Sequence, residues 1–405
     1  MSDPSDPPHG HVSEVLAAFL KLGLTSFGGP VAHLGYFRDE FVTRRRWLSE
    51  AAYADLVALC QFLPGPASSQ VGFAIGLMRA GWGGALAAFL AFTLPSALLL
   101  LVLALSAARI EGALALGVLH GLKIVAVAIV AQAVWGMARS LCPDPARAGI
   151  AVAAVALLAF VPGSAGMVTV IGLGAAAGLA LGRGASSQGV PLAMPVSRTA
   201  GLAALALCGG LLLILPLLAG LGQGFALADS FYRAGALVFG GGHVVLPLLE
   251  AGTVAPGWVS EDAFLAGYGA AQAVPGPLFT FAAWLGAVMG PAPNGVIGAA
   301  IALVALFLPG FLILIGVLPF WDRFRRLSWA QSAMQGANAA VVGVLGAALY
   351  DPVFVSGITG RADFALALAC FTGLVVWRLP SWAVVVLGAA GGAAPSDFAS
   401  EAEKA

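Results

Sequence analysis

Long apolar stretches separated by short polar or basic connections run along almost the whole chain. Residues 148–182 and 263–321 carry no charged side chain at all. About 20 apolar residues suffice to cross a bilayer as a helix, so the pattern predicts an all-α integral membrane protein. Hydropathy delimits thirteen apolar segments, near residues 12–45, 51–79, 82–106, 112–138, 147–162, 165–182, 199–222, 228–250, 262–290, 294–319, 328–350, 362–377 and 380–394.

Four of these segments, the first two and the eighth and ninth, are interrupted by similar motifs of glycine and proline. In both halves the first proline of a Pro-Gly-Pro sequence follows a tryptophan by 17 residues. This repeat predicts two homologous halves, residues 11–183 and 225–393, joined across 184–224 by a linker and one helix. The matching words are Phe-Gly-Gly-Pro (27–30), Trp-Leu-Ser-Glu (47–50) and Gln-Phe-Leu-Pro-Gly-Pro (61–66), against Phe-Gly-Gly-Gly (239–242), Trp-Val-Ser-Glu (258–261) and Gln-Ala-Val-Pro-Gly-Pro (272–277).

The positions of the arginines predict the topology. If the four interrupted segments are re-entrant hairpins and the other nine cross fully, thirteen arginines face the side of the amino terminus and only Arg109, Arg361 and Lys404 face the other. Positive loops favour the cytoplasm, so this arrangement places the amino terminus inside and the carboxyl terminus outside. The loop after the first break is rich in arginine, whereas residues 251–262 contain no Lys or Arg, which predicts an inverted second half.

The glycine and proline motifs that interrupt the helices favour the binding of an anion. Proline ends a helix and glycine adopts the unwound backbone, and each new half-helix presents unpaired amides and a positive dipole end. Corresponding breaks in two halves are typical of transporter sites. The backbone amides expected to hold the anion are those of Gly28, Gly29, Gly65, Gly240, Gly241 and Gly276; the prolines expected to shape the breaks and the gating are Pro30, Pro64, Pro66, Pro275 and Pro277.

Polar side chains inside apolar segments complete the predicted site. Lys21 and Arg233 align across the repeat, as do Lys123 and Asn338, and no carboxylate is evident at similar depth to pair with the cations. A bound anion is then the expected partner, although Lys21 and Arg233 could instead snorkel to an interface. The aligned Gln61 and Gln272 and the hydroxyl of Ser26 could donate to an oxyanion; His33 and His243 are candidates for proton coupling, with a structural role as the alternative.

Composition agrees with this class of protein. Of 405 residues, 60% are hydrophobic and 9% charged, with a mean hydropathy of +0.96, whereas soluble domains carry about 25% charged residues. A membrane-embedded enzyme is disfavoured, because the sequence contains no His-Glu-x-x-His motif and no serine–histidine constellation. No spacing suggests a metal site or a cofactor, and no feature suggests nucleic-acid binding.

These motifs, in this order in both halves, resemble the chromate ion transporter family in its long, two-domain form. The resemblance covers about residues 14–387. It implies a multi-pass protein of the bacterial cytoplasmic membrane that exports chromate by alternating access, driven by potential or by protons. Sulfate has a similar shape and charge, so a sulfate or other oxyanion transporter is an alternative, as is an anion channel built on the same hairpins. A homodimer is left open.

Overall fold

The computed structural model describes residues 10–107, 113–182, 195–239, 242–324 and 327–393. Within these ranges the chain is helical and contains no β-strand. The first half begins with three short helices before a long one and ends in three helices. They are α1 (Val12–Thr25), α2 (Gly29–Arg38), α3 (Glu50–Phe62), α4 (Ala67–Ala107), α5 (Ala113–Leu141), α6 (Pro145–Phe160) and α7 (Gly163–Leu181). A π-helical turn, Asp39–Arg44, continues α2.

One helix, α8 (Arg198–Leu218), separates the halves and is largely exposed. The second half repeats the order of the first, with short 3-10 or π-helical turns at several joints. Its helices are α9 (Gln223–Leu237), α10 (Val245–Thr253), α11 (Glu261–Ala273), α12 (Phe281–Val288), α13 (Gly295–Val317), α14 (Trp321–Phe324), α15 (Ser328–Ala348), α16 (Val355–Gly357), α17 (Arg361–Val375) and α18 (Ser381–Ala393). The expected linker lies mostly outside the described residues.

Both interrupted segments of the first half fold back beside themselves. The ring of Phe19 in α1 stacks on that of Phe41, with centroids 4.8 Å apart, so the chain returns along α1 after the break. Arg79 lies at the end of the first part of α4, just before the non-helical Ala80 and Gly81. Its Nη2 lies 3.1 Å from Oε2 of Glu14 near the start of α1. The second break therefore brings the chain back to the end where α1 begins.

The second half folds back in the same manner. The hydroxyl of Ser230 in α9 donates to the carbonyl of Gly252 in α10 over 3.0 Å. The indole of Trp284 in α12 donates to the carbonyl of Ala263 in α11, also over 3.0 Å. Helices α3 and α11 also begin alike, because Ser49 and Ser260 each accept a bond from the amide three residues on.

Two helix pairs, each made of one helix from either half, hold the two halves together. Helix α5 of the first half packs on α18 of the second, and α15 of the second packs on α7 of the first. A methyl group added at Gly121 would lie 2.3 Å from the carbonyl oxygen of Gly388, and one at Gly336 would lie 2.0 Å from that of Gly174. Because the two seams use glycines at corresponding places, the halves are related by an approximate twofold operation.

The helices suit a multi-pass membrane protein. Among the described residues five helical stretches are long and apolar enough to cross a membrane. They are 67–106, 117–141, 198–221, 295–324 and 328–357, and four shorter apolar helices accompany them. The expected all-α membrane fold is confirmed; the inverted orientation of the second half relative to a bilayer, and the count of thirteen segments, stay predictions.

Candidate functional site

The Phe-Gly-Gly-Pro break of the first half separates α1 from α2. Gly28 and Gly29 have φ of +102° and +80°, a region that other residues rarely adopt. Pro30 stands in the first turn of α2, where its missing amide hydrogen costs no helical bond. The remaining amides of this first turn have no acceptor within the helix. The positive end of the α2 dipole therefore lies at this break.

The two Pro-Gly-Pro breaks are built alike and support each other across the halves. Gly65 and Gly276 have φ of +118° and +107°. The amide of Gly65 donates to the carbonyl of Val238 over 2.7 Å, and the amide of Gly276 donates to that of Ser26 over 2.8 Å. Both acceptors come directly before the Phe-Gly-Gly word of the opposite half. The four breaks therefore meet at one place.

This reciprocal bonding corrects one expectation. The amides of Gly65 and Gly276 were predicted to hold oxygens of the anion, but each already donates its hydrogen to a backbone carbonyl. These two glycines shape the site by allowing close approach: an added methyl at Gly65 would lie 2.8 Å from Cα of Gly310, and one at Gly276 would lie 2.7 Å from Oγ of Ser96. Gly240 and Gly241 lie outside the described residues.

A cavity of about 810 Å³ adjoins the breaks and is here called the amide cavity. It lies among α3, the second part of α5 and the first part of α15, with Gly28 and Pro30 on its wall. Among the described residues that line it are five side-chain amides and no Lys, Arg, Asp or Glu. Its polar side chains are those of Gln61, Gln132, Gln331, Gln335, Asn338, Ser140 and His243.

The amide cavity runs from the middle of the helices to their ends. Asn338 lies ten residues into α15, about 15 Å along the axis, which is half the thickness of a hydrocarbon core. Ser140 and Leu141, at the end of α5, also line the cavity. Arg139 and Arg147 stand beside this end of α5. The cavity thus connects mid-depth with the arginine-rich end of the molecule.

The three cations predicted to bind the anion do not line this cavity. Lys21 pairs with Glu40, with Nζ and Oε2 3.3 Å apart, and Arg233 pairs with Asp229 four residues earlier. Lys123 pairs with Asp262, with Nζ and Oδ1 2.8 Å apart. The expectation that no carboxylate pairs with these cations is wrong, because each has one within the chain.

The other predicted side chains divide between the cavity and its surroundings. Gln61 and Asn338 line the amide cavity, whereas Gln272 is 9% exposed and packed away from it. Buried polar atoms without a hydrogen-bond partner include Nε2 of Gln272, Oδ1 of Asn338 and Oγ of Ser26. Of the predicted prolines, Pro30 alone lines the cavity, while Pro64, Pro66, Pro275 and Pro277 flank the breaks.

The two histidines have different surroundings. His243 lines the cavity, and its Nδ1 lies 2.7 Å from the hydroxyl of Tyr268. Its Nε2 would lie 3.9 Å from a methyl group at Gly29, so the ring stands beside the first break. His33 is fully buried, with Nδ1 3.4 Å from Oγ of Ser68. A role for either in proton coupling stays a prediction.

Gln132, Gln331 and Gln335 line the cavity but were not among the predicted site residues. Their signal was available: each is an uncharged polar residue within an apolar helix or near its start. Gln335 also aligns with His120, whose Nε2 lies 2.9 Å from Oδ1 of Asp363.

Comparison with known proteins gives a consistent result over both halves. Residues 13–179 and 225–393 each match the family described as Chromate transporter. The chain is 31% identical over 397 residues to the chromate transport protein of Pseudomonas aeruginosa, covering 95% of this chain and 92% of that one. It is 28% identical over 386 residues to the chromate transport protein of Cupriavidus metallidurans, covering 93% and 91%.

A third relative matches nearly the whole length of both chains. The chain is 26% identical over 412 residues to the probable chromate transport protein of Synechococcus elongatus, covering 97% of this chain and 98% of that one. No solved structure matches the chain. The two matched ranges fall within the two halves that the repeat predicted.

Proposed function

The chain belongs to the chromate transporter family, whose members are transporters and not enzymes, and on that premise we propose that it exports chromate from the cytoplasm. Two long relatives named chromate transport protein support chromate as the substrate. The observation that carries the proposal is the amide cavity, a chamber at mid-depth between the two halves and continuous with the arginine-rich end.

The chemistry of the amide cavity suits a tetrahedral dianion held by hydrogen bonds. Each Gln and Asn side chain offers two N–H donors, so five amides provide a ring of donors for four oxygens. The first turn of α2 adds its amides and the positive end of its dipole. A Lys or Arg side chain in the cavity would bind chromate more strongly but would also slow its release. Neutral hydrogen-bond donors permit both binding and release.

The position of the cavity favours loading from the cytoplasm. Positive-inside reasoning assigns Arg139 and Arg147 to the cytoplasmic side, and the cavity ends beside them. Arginines there raise the local concentration of anions. An inside-negative potential favours outward movement by about 2.3 kcal/mol per charge per 100 mV, which is about 4.6 kcal/mol for a dianion. We therefore place the substrate-loading face inside and let the potential drive export.

Alternating access is the mechanism that this arrangement supports best. The amide cavity approaches one end of the molecule, while the corresponding region on the opposite end is packed, as α11 lies against α5. A channel would need a path through both ends. The proposal includes a bacterial inner membrane with the carboxyl terminus outside, and it allows a homodimer. Coupling to protons through His33 or His243 is the alternative to a purely potential-driven export. A sulfate or other oxyanion transporter is the alternative for the substrate.

Chromate flux into everted vesicles tests the proposal, because export from cells becomes uptake there. Asn338→Leu replaces an amide on the wall of the cavity by an apolar side chain of similar size. We expect chromate flux to fall about tenfold or more, because a hydrogen bond to a charged group is lost. Thr372→Val is the matched control, since Thr372 is partly exposed on α17 and its hydroxyl donates to the carbonyl of Leu368. Unchanged flux for Asn338→Leu would remove the cavity from the proposal.

Substrate and mechanism are separated in the same vesicles. Sulfate should slow chromate uptake only if both use the amide cavity, and the slowing should weaken in Asn338→Leu. Flux that saturates with chromate concentration agrees with a carrier, and flux that grows linearly far beyond carrier rates would indicate a channel. Potential and pH gradient are varied independently, so that potential-driven and proton-coupled export can be told apart.

A further inference from the structure

The approximate twofold relation between the halves gives the amide cavity a counterpart on the other side of the molecule. Asn338, on the wall of the cavity, corresponds to Lys123, because the sequences around 335–338 and 120–123 align and both helices form matching glycine seams. Gln61, also on the wall, corresponds to Gln272, which precedes the second Pro-Gly-Pro. The counterpart region is thus formed by Lys123 and Gln272.

The counterpart region is closed in this structure. Gly269 stands three residues before Gln272, and an added methyl there would lie 2.8 Å from the carbonyl oxygen of Leu122, so α11 packs directly on α5. Ala58 stands three residues before Gln61 in α3, and it lines the open cavity opposite α15. One hairpin is therefore docked on its partner helix and the corresponding hairpin is separated from its own.

Polar contacts hold the closed seam, defined here as the packing of α11 on α5 and on residues 355–357. Nζ of Lys123 lies 2.8 Å from Oδ1 of Asp262 at the start of α11, and Glu261 accepts a hydrogen bond from the hydroxyl of Ser356. The place of Asp262 is taken by Ala51 in the first half, so the open side has no such ion pair. The unpartnered, buried Nε2 of Gln272 lies behind this seam.

We propose that the chain has a second, latent dianion site, formed by Lys123 and Gln272 and exposed when α11 leaves α5. In that state Lys123 exchanges the carboxylate of Asp262 for a tetrahedral dianion, and Asp262 competes with the anion for the same ammonium group. The inference rests on the proposed function for the class of anion. It adds that the two access states bind that anion differently, through a neutral amide on one side and through a cation on the other.

The test measures accessibility by alkylation and does not need transport. In a background with Cys60, Cys142, Cys208 and Cys370 replaced by Ala, Gln61→Cys reports the open cavity and Gln272→Cys reports the latent site. N-ethylmaleimide should label Gln61→Cys readily and Gln272→Cys slowly, since Gln61 is exposed and Gln272 is buried.

Removing the ion pair should shift this balance. The carboxylate of Asp262 is 75% exposed, and an exposed pair of this kind changes an equilibrium by about two- to fivefold. Asp262→Asn should therefore raise labelling at Gln272→Cys by about that factor, with little change at Gln61→Cys, which reports the majority state. Glu261→Gln should act in the same direction, whereas Asp39→Asn, which removes an exposed acid at the end of α2, should leave both rates unchanged.

Sulfate then probes the latent site, because chromate would oxidise the thiols. In Asp262→Asn, excess sulfate should slow labelling at Gln272→Cys; Lys123→Gln should abolish this protection and Lys123→Arg should retain it. Equal labelling with and without Asp262 and Glu261, or protection that survives Lys123→Gln, would overturn the inference. Absent chromate flux together with a working labelling switch would instead refute the proposed function and leave the latent anion site standing.

Discussion

Gly65 provides a sharp test of how the breaks of the two halves support each other. The change Gly65→Ala adds one methyl group at a φ of +118°, and holding a residue other than glycine in such a region costs about 1–3 kcal/mol. That methyl would lie 2.8 Å from Cα of Gly310 and 3.0 Å from Nε2 of Gln70. Relief of the clash requires movement of the backbone.

The movement would also disturb hydrogen bonds that span the halves. The amide of Gly65 donates to Val238 over 2.7 Å, and Nε2 of Gln70 donates to the carbonyls of Pro64 and Gly310 over 3.0 and 2.8 Å. Loss of one such bond costs about 1 kcal/mol. Together with the backbone strain, we expect Gly65→Ala to destabilise the fold by about 2–4 kcal/mol.

Gly163→Ala is the matched control. Gly163 also has a positive φ, +83°, but a methyl group there meets nothing within 4 Å, so only backbone strain of about 1–2 kcal/mol is expected. The assay is the fraction of purified protein that stays monodisperse in size-exclusion chromatography after heating. Equal losses for the two variants would refute the claim that close approach between the halves at Gly65 matters.

Three further predictions follow from other parts of the structure. Gly336→Ala should lower stability by about 1–3 kcal/mol through overpacking against Gly174, whereas Gly172→Ala, which meets nothing within 4 Å, should be neutral in the same heating assay. Glu40→Gln should lower stability by about 1–2 kcal/mol, since a buried carboxylate that accepts three cationic partners is replaced by an amide; a change within error in that assay would contradict this. Chromate flux in vesicles should rise with a potential that favours dianion movement at constant pH, and dependence on the pH gradient alone would contradict potential-driven transport.

The duplicated breaks were predictable because helix interruption is a local property of the chain. Gly28 and Pro30 determine their own backbone, and the same holds for the Pro-Gly-Pro words. Re-entrant hairpins were predicted from the arginines of the first loop, since a chain that enters and returns keeps its charges on one side. The hydrogen bonds that join the breaks of the two halves depend on the tertiary structure and could not be predicted from the local sequence. Nothing near Gly65 indicated that its amide donates to Val238, 173 residues away.

The partners of Lys21, Lys123 and Arg233 show the same limit to different degrees. Asp229 stands four residues before Arg233, a spacing that pairs side chains on a helix, so this ion pair was available to sequence reasoning. Glu40 pairs with Lys21 only because the first hairpin folds back. Asp262 meets Lys123 from 139 residues away. The three carboxylate partners thus range from one that local spacing could have identified to one that only the tertiary structure reveals.

The two halves differ in how their hairpins pack, and this difference relates the amide cavity to alternating access. Matched helices make matched glycine seams, so the scaffold of α5, α7, α15 and α18 obeys the approximate twofold relation. The hairpins depart from it, because α11 is docked on α5 while α3 leaves a cavity against α15. If the halves exchanged these conformations, the cavity at Asn338 would close and one would open at Lys123. In a duplicated fold of this kind, the conformation of each half therefore predicts the conformation that the other half adopts in the second access state. A structure with both cavities open at once would contradict this reading, since the dianion would then have a continuous path.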